Sequence, residues 1–225
     1  MPTVFGTEHI IYLAIVIALM VLAIVLVKRF VKTDKQLVII IKSIAFLLLL
    51  AIIWNRISIA IGRDNYDSLW PSSFCGTSSL VLALGTLLFK KDNPILHCVV
   101  YIGFLGGVLT LVYPDFIGQA NSIFYPMTIS GLLHHTLMVF LIILMFITGY
   151  FRPSLKKWKY LPIGLALYMV YGLFLITVVG LSDAMYIYST ILDEVKLNWF
   201  YLGLIFIPTH FLFLCSWELI TRKKH

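Results

Sequence analysis

The sequence predicts an all-α fold: a polytopic membrane bundle of seven transmembrane helices, N-terminus outside and C-terminus cytoplasmic. Three observations predict it. The first is composition: of 225 residues, 61% are hydrophobic and only 12% charged, and the mean hydropathy is +1.00. An average soluble domain carries roughly twice that charged fraction. A water-soluble globule of this size cannot hide so much apolar surface, which excludes a soluble enzyme or a nucleic-acid binder. The second is length. Seven spans of ~20 residues use about 140 positions, leaving only short connections and a single domain over 1–225. The third is where the positive charges fall.

Apolar runs read against turn and charge signals place the spans at 8–30, 37–61, 71–89, 94–114, 126–150, 159–182 and 198–221. The first follows acidic Glu8, has its basic cluster after the apolar run and shows no small-residue cleavage site, so it is expected to be a span and not a signal peptide. Lys28, Arg29, Lys32, Lys35 and Lys42 surround the connection to the second span. The third and fifth spans start at Pro71 and Pro126, and the fourth follows Lys90 and Lys91. Arg152, Lys156, Lys157 and Lys159 fill the fifth connection, and Arg222, Lys223 and Lys224 form the tail.

These are 14 of the 17 basic residues, all on one side of a seven-span arrangement; Arg56, Arg63 and Lys196 fall on the other. Positive residues stay in the cytoplasm, which sets the orientation. The net charge of +7 is therefore a topology signal and not a sign of a nucleic-acid partner. Trp70, Tyr113, Tyr125 and Trp199 mark the outer boundary, and Trp158, Tyr160 and Trp217 the inner one, as interface belts do.

Polar groups in hydrocarbon are costly, so their depth is informative. Cys75 lies four residues into the third span, at ~6 Å, and His135 nine residues into the fifth, at ~14 Å. Ser72, Cys75, Ser79 and Thr86 form a small, polar stripe on one face of the third span. Thr128, Gly131 and His135 share a face of the fifth, with His134 on the other flank of Gly131. His9 opens the first span, Trp54, Asn55 and Arg56 lie in the outer half of the second, and Asp115 and Asp183 end the fourth and sixth. Together they outline an outer-facing polar site or cavity. Gly103 and Gly107 have GxxxG spacing and read as close helix packing.

Each candidate has an ordinary alternative. A membrane cysteine is usually a packing residue, and Cys98 and Cys215 are read so; Cys75 is set apart by its depth, which permits contact with His135. A thiolate needs a base or a cationic neighbour, and a histidine within ~3 Å supplies both. Such a pair attacks esters and thioesters, and beside lipid the natural acyl donor is a phospholipid. Arg56 either snorkels or binds the lipid phosphate. Asp115 either orients a histidine or belongs to a Pro-Asp turn, while Asp183 reads as structural. His210 is expected to hydrogen-bond across helices. No HxxxH or HExxH is present, so no metal is expected, and a haem between His135 and His210 would rest on one cross-helix pair.

The residues also carry a resemblance. Phe5-Gly6-Thr7-Glu8-His9, Leu69-Trp70-Pro71-Ser72-Ser73-Phe74-Cys75, Tyr113-Pro114-Asp115, His134-His135-Thr136-Leu137-Met138-Val139-Phe140 and Ala184-Met185-Tyr186-Ile187-Tyr188 occur in that order. The set resembles the YwaF-type family of bacterial seven-span membrane proteins, related to the eukaryotic transmembrane protein 164, a lipid acyltransferase. The resemblance implies a plasma-membrane enzyme that moves an acyl group from an outer-leaflet phospholipid, through a thioester on Cys75, to a lysophospholipid. In that reading His135 is the base, and His134, His9 and Asp115 support it. Arg56, Trp54, Ser72 and Ser79 hold substrate, and no cofactor is used. Two positions depart from the family pattern: Ser73 replaces a histidine and Ala184 an asparagine. The rival is a binding or transport protein whose outer cavity holds a small ligand without a covalent step.

Overall fold

A computed structural model describes residues 5–114, 122–190 and 197–222. Among the described residues the chain forms seven helices: α1 (Thr7–Phe30), α2 (Asp34–Gly62), α3 (Phe74–Leu88), α4 (Pro94–Val112), α5 (Pro126–Thr148), α6 (Tyr160–Phe174) and α7 (Trp199–Arg222). The starts follow from local chemistry. Thr33 and Gln36 form a reciprocal capping box at α2. Pro94 and Pro126 occupy first-turn positions, where the missing N–H costs nothing. α5 ends where Gly149 adopts φ 69°, the left-handed conformation that glycine tolerates. α6 loosens into a π turn over Leu175–Val179 and stops at Gly180, φ 88°.

Six helical segments are long and apolar enough to cross a membrane. α3 is apolar but has only 15 residues, about 22 Å by helical rise, short of the ~30 Å hydrocarbon core. The expected span 71–89 is thus trimmed at its outer end. Pro71–Ser73 runs extended into the helix, and the Ser73 hydroxyl accepts the Gly76 N–H at 3.2 Å. α3 consequently begins within the bundle.

The core sits where α2, α3, α4 and α5 meet, with Ile41, Leu48, Leu82, Leu96, Val100, Met138, Leu141 and Ile142 fully or almost fully buried. Lipid tails are as apolar as these side chains, so association relies on close packing and polar links. The close packing is visible at α4. A Cβ added to Gly107 would lie 2.7 Å from Val139 and 2.8 Å from Met138, and one on Gly103 3.3 Å from Met138 Sδ. Gly164 of α6 meets the Cys98 carbonyl in the same way, at 2.6 Å.

Polar links cross between helices. Asn55 Nδ2 donates to Ser130 Oγ at 3.1 Å, Ser78 and Tyr168 share a hydroxyl bond at 2.6 Å, and Lys42 Nζ donates to the Leu87 carbonyl at 2.7 Å. α1 is held differently. Only His9 and Val16 of α1 are buried, and the helix is tied by His9 and by a 2.8 Å bond between Tyr12 and Thr136. In α7, His210 does not make the expected cross-helix bond: its buried Nε2 has no partner, and its ring packs edge-on against Tyr101 at 4.3 Å. Ring packing on Tyr101 takes the place of that bond.

At the basic end, Asp92 joins two connections. It accepts from Lys157 Nζ and from the Arg152 N–H, and its other contact is His97 Nε2 at 2.8 Å. Burial pushes the Asp92 carboxyl up, but the bonds from Lys157, Arg152 and His97 outweigh burial and hold it below the ordinary carboxylate range.

Candidate active site

The end of the bundle opposite the basic connections is built around the start of α3. Cys75 is the second residue of that helix. The Thr77 hydroxyl donates to the Pro71 carbonyl at 2.8 Å, and Ser79, one turn on, donates to the Cys75 carbonyl at 2.6 Å. These bonds hold the first turn rigidly. The sulfur presses on α4: a Cβ on Gly106 would lie 2.5 Å from Cys75 Sγ. Gly106 is six residues from the end of α4, so the thiol sits about 9 Å inward of that end.

Thr110, the next turn of α4, donates its hydroxyl proton to the Gly106 carbonyl at 2.8 Å. The Cys75 backbone N–H belongs to the first turn of α3, where amides have no carbonyl ahead of them in the helix.

α5 packs on α4 at the same height: the His135 backbone carbonyl lies 3.7 Å from a Cβ on Gly107, the neighbour of Gly106. His134 and His135 are both buried. Consecutive helical residues diverge by ~100°, yet the two rings come together with centroids 3.9 Å apart.

Their hydrogen bonding is incomplete. His135 Nδ1 is 2.7 Å from the Gly131 carbonyl. A carbonyl only accepts, so the proton sits on Nδ1 and the Nε2 lone pair is left bare. His135 Nε2 and both nitrogens of His134 have no partner among the described residues. Since Nε2 is unpartnered, no hydrogen bond joins the Cys75 thiol to His135 in this structure.

α2 closes another wall. Arg56 Nη2 donates to Asn55 Oδ1 at 2.8 Å, while Asn55 donates to Ser130 Oγ. The guanidinium is close enough to act electrostatically on both imidazoles. Met138 fills the junction of α3, α4 and α5 below the histidines, receiving the Ser79 hydroxyl on Sδ at 3.1 Å.

The loop after α6 covers the start of α3. The Met185 N–H donates to the Ser72 carbonyl at 2.8 Å, and Tyr186 stacks on Phe74 at 6.2 Å. Met185 and Tyr186 both have φ 55°, a left-handed conformation costing roughly 1–2 kcal/mol each. Asp183 compensates. Its carboxylate accepts the N–H groups of Ile187, Tyr188 and Ser189 at 3.0–3.1 Å, and the Ser189 hydroxyl. Burial pushes the Asp183 carboxyl up, but these bonds more than offset it and hold the group below its usual range.

The remaining sequence candidates fall in several places. His9 is fully engaged: its Nε2 donates to the Leu111 carbonyl at 2.8 Å and its Nδ1 accepts the Phe5 N–H at 3.1 Å. It clamps the start of α1 to the end of α4. Trp54 is 42% exposed on the outer surface of α2. Ser79 is fully buried and bonded internally. Ser72 contributes its carbonyl to the covering loop. Asp115 lies outside the described residues. Asn55 was placed in the polar cluster from the sequence but given no role, and Ser130, Gly106 and Thr110 were not singled out as site residues. Asn55 carried the clearest signal, a polar side chain one residue before Arg56 within an apolar run. Among the described residues no three His, Cys, Asp or Glu side chains converge in a way that could hold a metal ion.

The family model described as the TMEM164 family matches residues 4–220. The chain belongs to the TMEM164 family. No curated protein and no solved structure matches it. The match spans all seven helices and therefore every wall of the site, and it identifies this TMEM164 family member as a multi-pass membrane protein.

Proposed function

We propose that this protein is a cysteine-dependent lipid acyltransferase acting at the outer leaflet of a bacterial plasma membrane, a single domain with its N-terminus outside. The observation that carries the reading is that Cys75 Sγ and the His135 backbone carbonyl lie against consecutive glycines of α4, with a bare Nε2 on the buried imidazole. The likeness of its motifs to the lipid acyltransferase transmembrane protein 164 supports the same conclusion.

In the proposed cycle the Cys75 thiol passes its proton to His135 Nε2. The Gly131 carbonyl stabilises the imidazolium through Nδ1–H. The thiolate attacks the ester carbonyl of a phospholipid, and the first-turn amides of α3 face the developing oxyanion. Collapse expels the lysophospholipid oxygen, which takes the proton from Nε2 and leaves a thioester on Cys75. The hydroxyl of an acceptor lysophospholipid then gives its proton to Nε2 and attacks the thioester, and the departing sulfur takes that proton from Nε2 to restore the thiol. Arg56 balances the headgroup phosphate. An apolar cavity of about 250 Å³ between α6 and α7, lined by Phe74, Leu165, Met169, Trp199 and Ile207, offers space for an acyl chain beside the nucleophile.

The rival reading, a pocket that binds a polar ligand without bond formation, draws on the same bare nitrogens of His134 and His135. Intact-protein mass spectrometry after incubation with phospholipid separates the two. A hydroxylamine-sensitive acyl adduct on the wild type, absent in Cys75→Ala, is expected. No adduct and no lipid turnover would overturn the acyltransferase and leave the binding pocket.

A further inference from the structure

At the opposite end of α3, thirteen residues or about 20 Å from Cys75, a cavity of about 500 Å³ opens between the start of α2 and the α3–α4 connection. Its rim carries four lysines, Lys35, Lys42, Lys90 and Lys91, against one carboxylate, Asp34. That carboxylate is already matched by Lys91 at 2.6 Å. Lys42 spends one of its three protons on the Leu87 carbonyl, and Lys35 and Lys90 have no bonded partner among the described residues. Tyr150 lines the same cavity; it is 1% exposed and its hydroxyl has no hydrogen-bond partner. A buried, unsatisfied hydroxyl is costly unless something accepts its proton. Positive charge in excess and a donor without an acceptor both call for an anion.

The apolar part of the lining says which kind. Ile39, Leu88 and Phe89 belong to the cavity and are also among the most exposed large hydrophobics, at 56%, 71% and 48%. On a membrane-spanning bundle these side chains face lipid, so the charged rim continues directly into an acyl-chain surface. Basic pockets between transmembrane helices on the positive side of a membrane hold anionic headgroups in this way.

We propose that this cavity binds one anionic phospholipid of the leaflet on the basic face, its phosphate held by Lys35, Lys90 and the Tyr150 hydroxyl, and its chain lying along Ile39, Leu88 and Phe89. The lipid bridges α2 to the end of α3 and so steadies the helix that carries Cys75. The site is separate from the outer one, and its occupancy does not depend on acyl transfer.

The test is native mass spectrometry of the full chain released from nanodiscs containing equal phosphatidylglycerol and phosphatidylcholine. One retained phosphatidylglycerol is expected on the wild type, in at least tenfold preference. Lys35→Gln with Lys90→Gln is expected to abolish the preference, and Tyr150→Phe to weaken it several-fold. Lys28→Gln with Arg29→Gln, charges on the same face outside the cavity, is expected to leave it unchanged. Equal retention of the two lipids, or an equal loss from the Lys28 and Arg29 control, would overturn the site. Displacement by millimolar inorganic phosphate would overturn the lipid assignment in favour of a soluble anion. Variants are compared only after their melting temperatures are matched to the wild type's, and Lys90→Gln alone replaces the pair if the double variant is destabilised.

Discussion

His97 near the basic end and the His134–His135 pair near the outer end are equally buried, and the protein treats them in opposite ways. His97 Nε2 lies 2.8 Å from Asp92 and 3.1 Å from Lys157 Nζ, and its ring packs on Phe151 at 4.3 Å. Three of the four nitrogens of the outer pair have nothing to bond with. Buried polar groups are nearly always satisfied because an unmade bond costs about 1–3 kcal/mol. The inner histidine thus ties two connections together, while the outer pair keeps its bonding capacity for something other than the fold. His9 sharpens the contrast: it shares the outer end, but both of its nitrogens are occupied by backbone groups.

If the outer histidines serve chemistry, the largest effects should appear there. Cys75→Ala is expected to reduce phospholipid acyl turnover to background, and His135→Ala to lower it about 10²–10⁴-fold. Both should melt within a few degrees of the wild type. A collapse of melting temperature in place of activity would make the outer pair structural, like His97.

Gly106→Ala comes next. Its Cβ would fall 2.5 Å from Cys75 Sγ, so the thiol must move, and overpacking costs about 1–3 kcal/mol. Activity is expected to drop at least tenfold. Gly107→Ala strikes Val139 and Met138 instead, and should cost similar stability with a smaller loss of turnover, read from parallel assays of rate and melting.

At the other end, Asp92→Asn should destabilise without altering turnover at a temperature where both proteins are folded. The expected cost is about 1–2 kcal/mol, moderated because the Asp92 side chain is 27% exposed. The pH dependence has a definite sign. Asp92 is held below the ordinary carboxylate range in the folded state. Its contribution is therefore complete above that range and disappears as pH falls through the depressed value. Thermal melts of the wild type should lose stability at acid pH, and the loss should be smaller in Asp92→Asn.

The smallest effect is expected from Tyr12→Phe, which removes the bond to Thr136. A polar link between membrane helices is worth about 0.6 kcal/mol. A double-mutant cycle with Thr136→Val in thermal melts would show a coupling of that size. A coupling several times larger would mean that α1 is part of the core instead of an attached helix.

Much of this architecture is legible along the chain, because helix starts and spans depend on near neighbours. Pro94 and Pro126 open α4 and α5 where the sequence places them, and the apolar runs mark helices of membrane length. The extent of α3 was not legible. Pro71-Ser72-Ser73 reads as the start of an apolar span, but an extended lead-in is stabilised there by the Ser73 cap and by the Met185 N–H on the Ser72 carbonyl, a partner over a hundred residues away. The roles of the polar residues were legible only as a group. That Cys75, His134, His135, Asn55 and Arg56 gather in the outer half follows from their depth. That Asn55 bonds Ser130, that Cys75 Sγ meets Gly106 and that His9 is spent on α4 depends on helix rotations that hydropathy does not encode.

The sequence by itself determined that the chain is a multi-helix membrane protein, because the length and polarity of each segment decide whether water or lipid surrounds it. Only the packed bundle brings Cys75 Sγ against Gly106 and the His135 backbone carbonyl against its neighbour Gly107. Contact between helices depends on their relative offset and rotation, and these are set by which small residues let two backbones approach and which polar groups find partners across the gap.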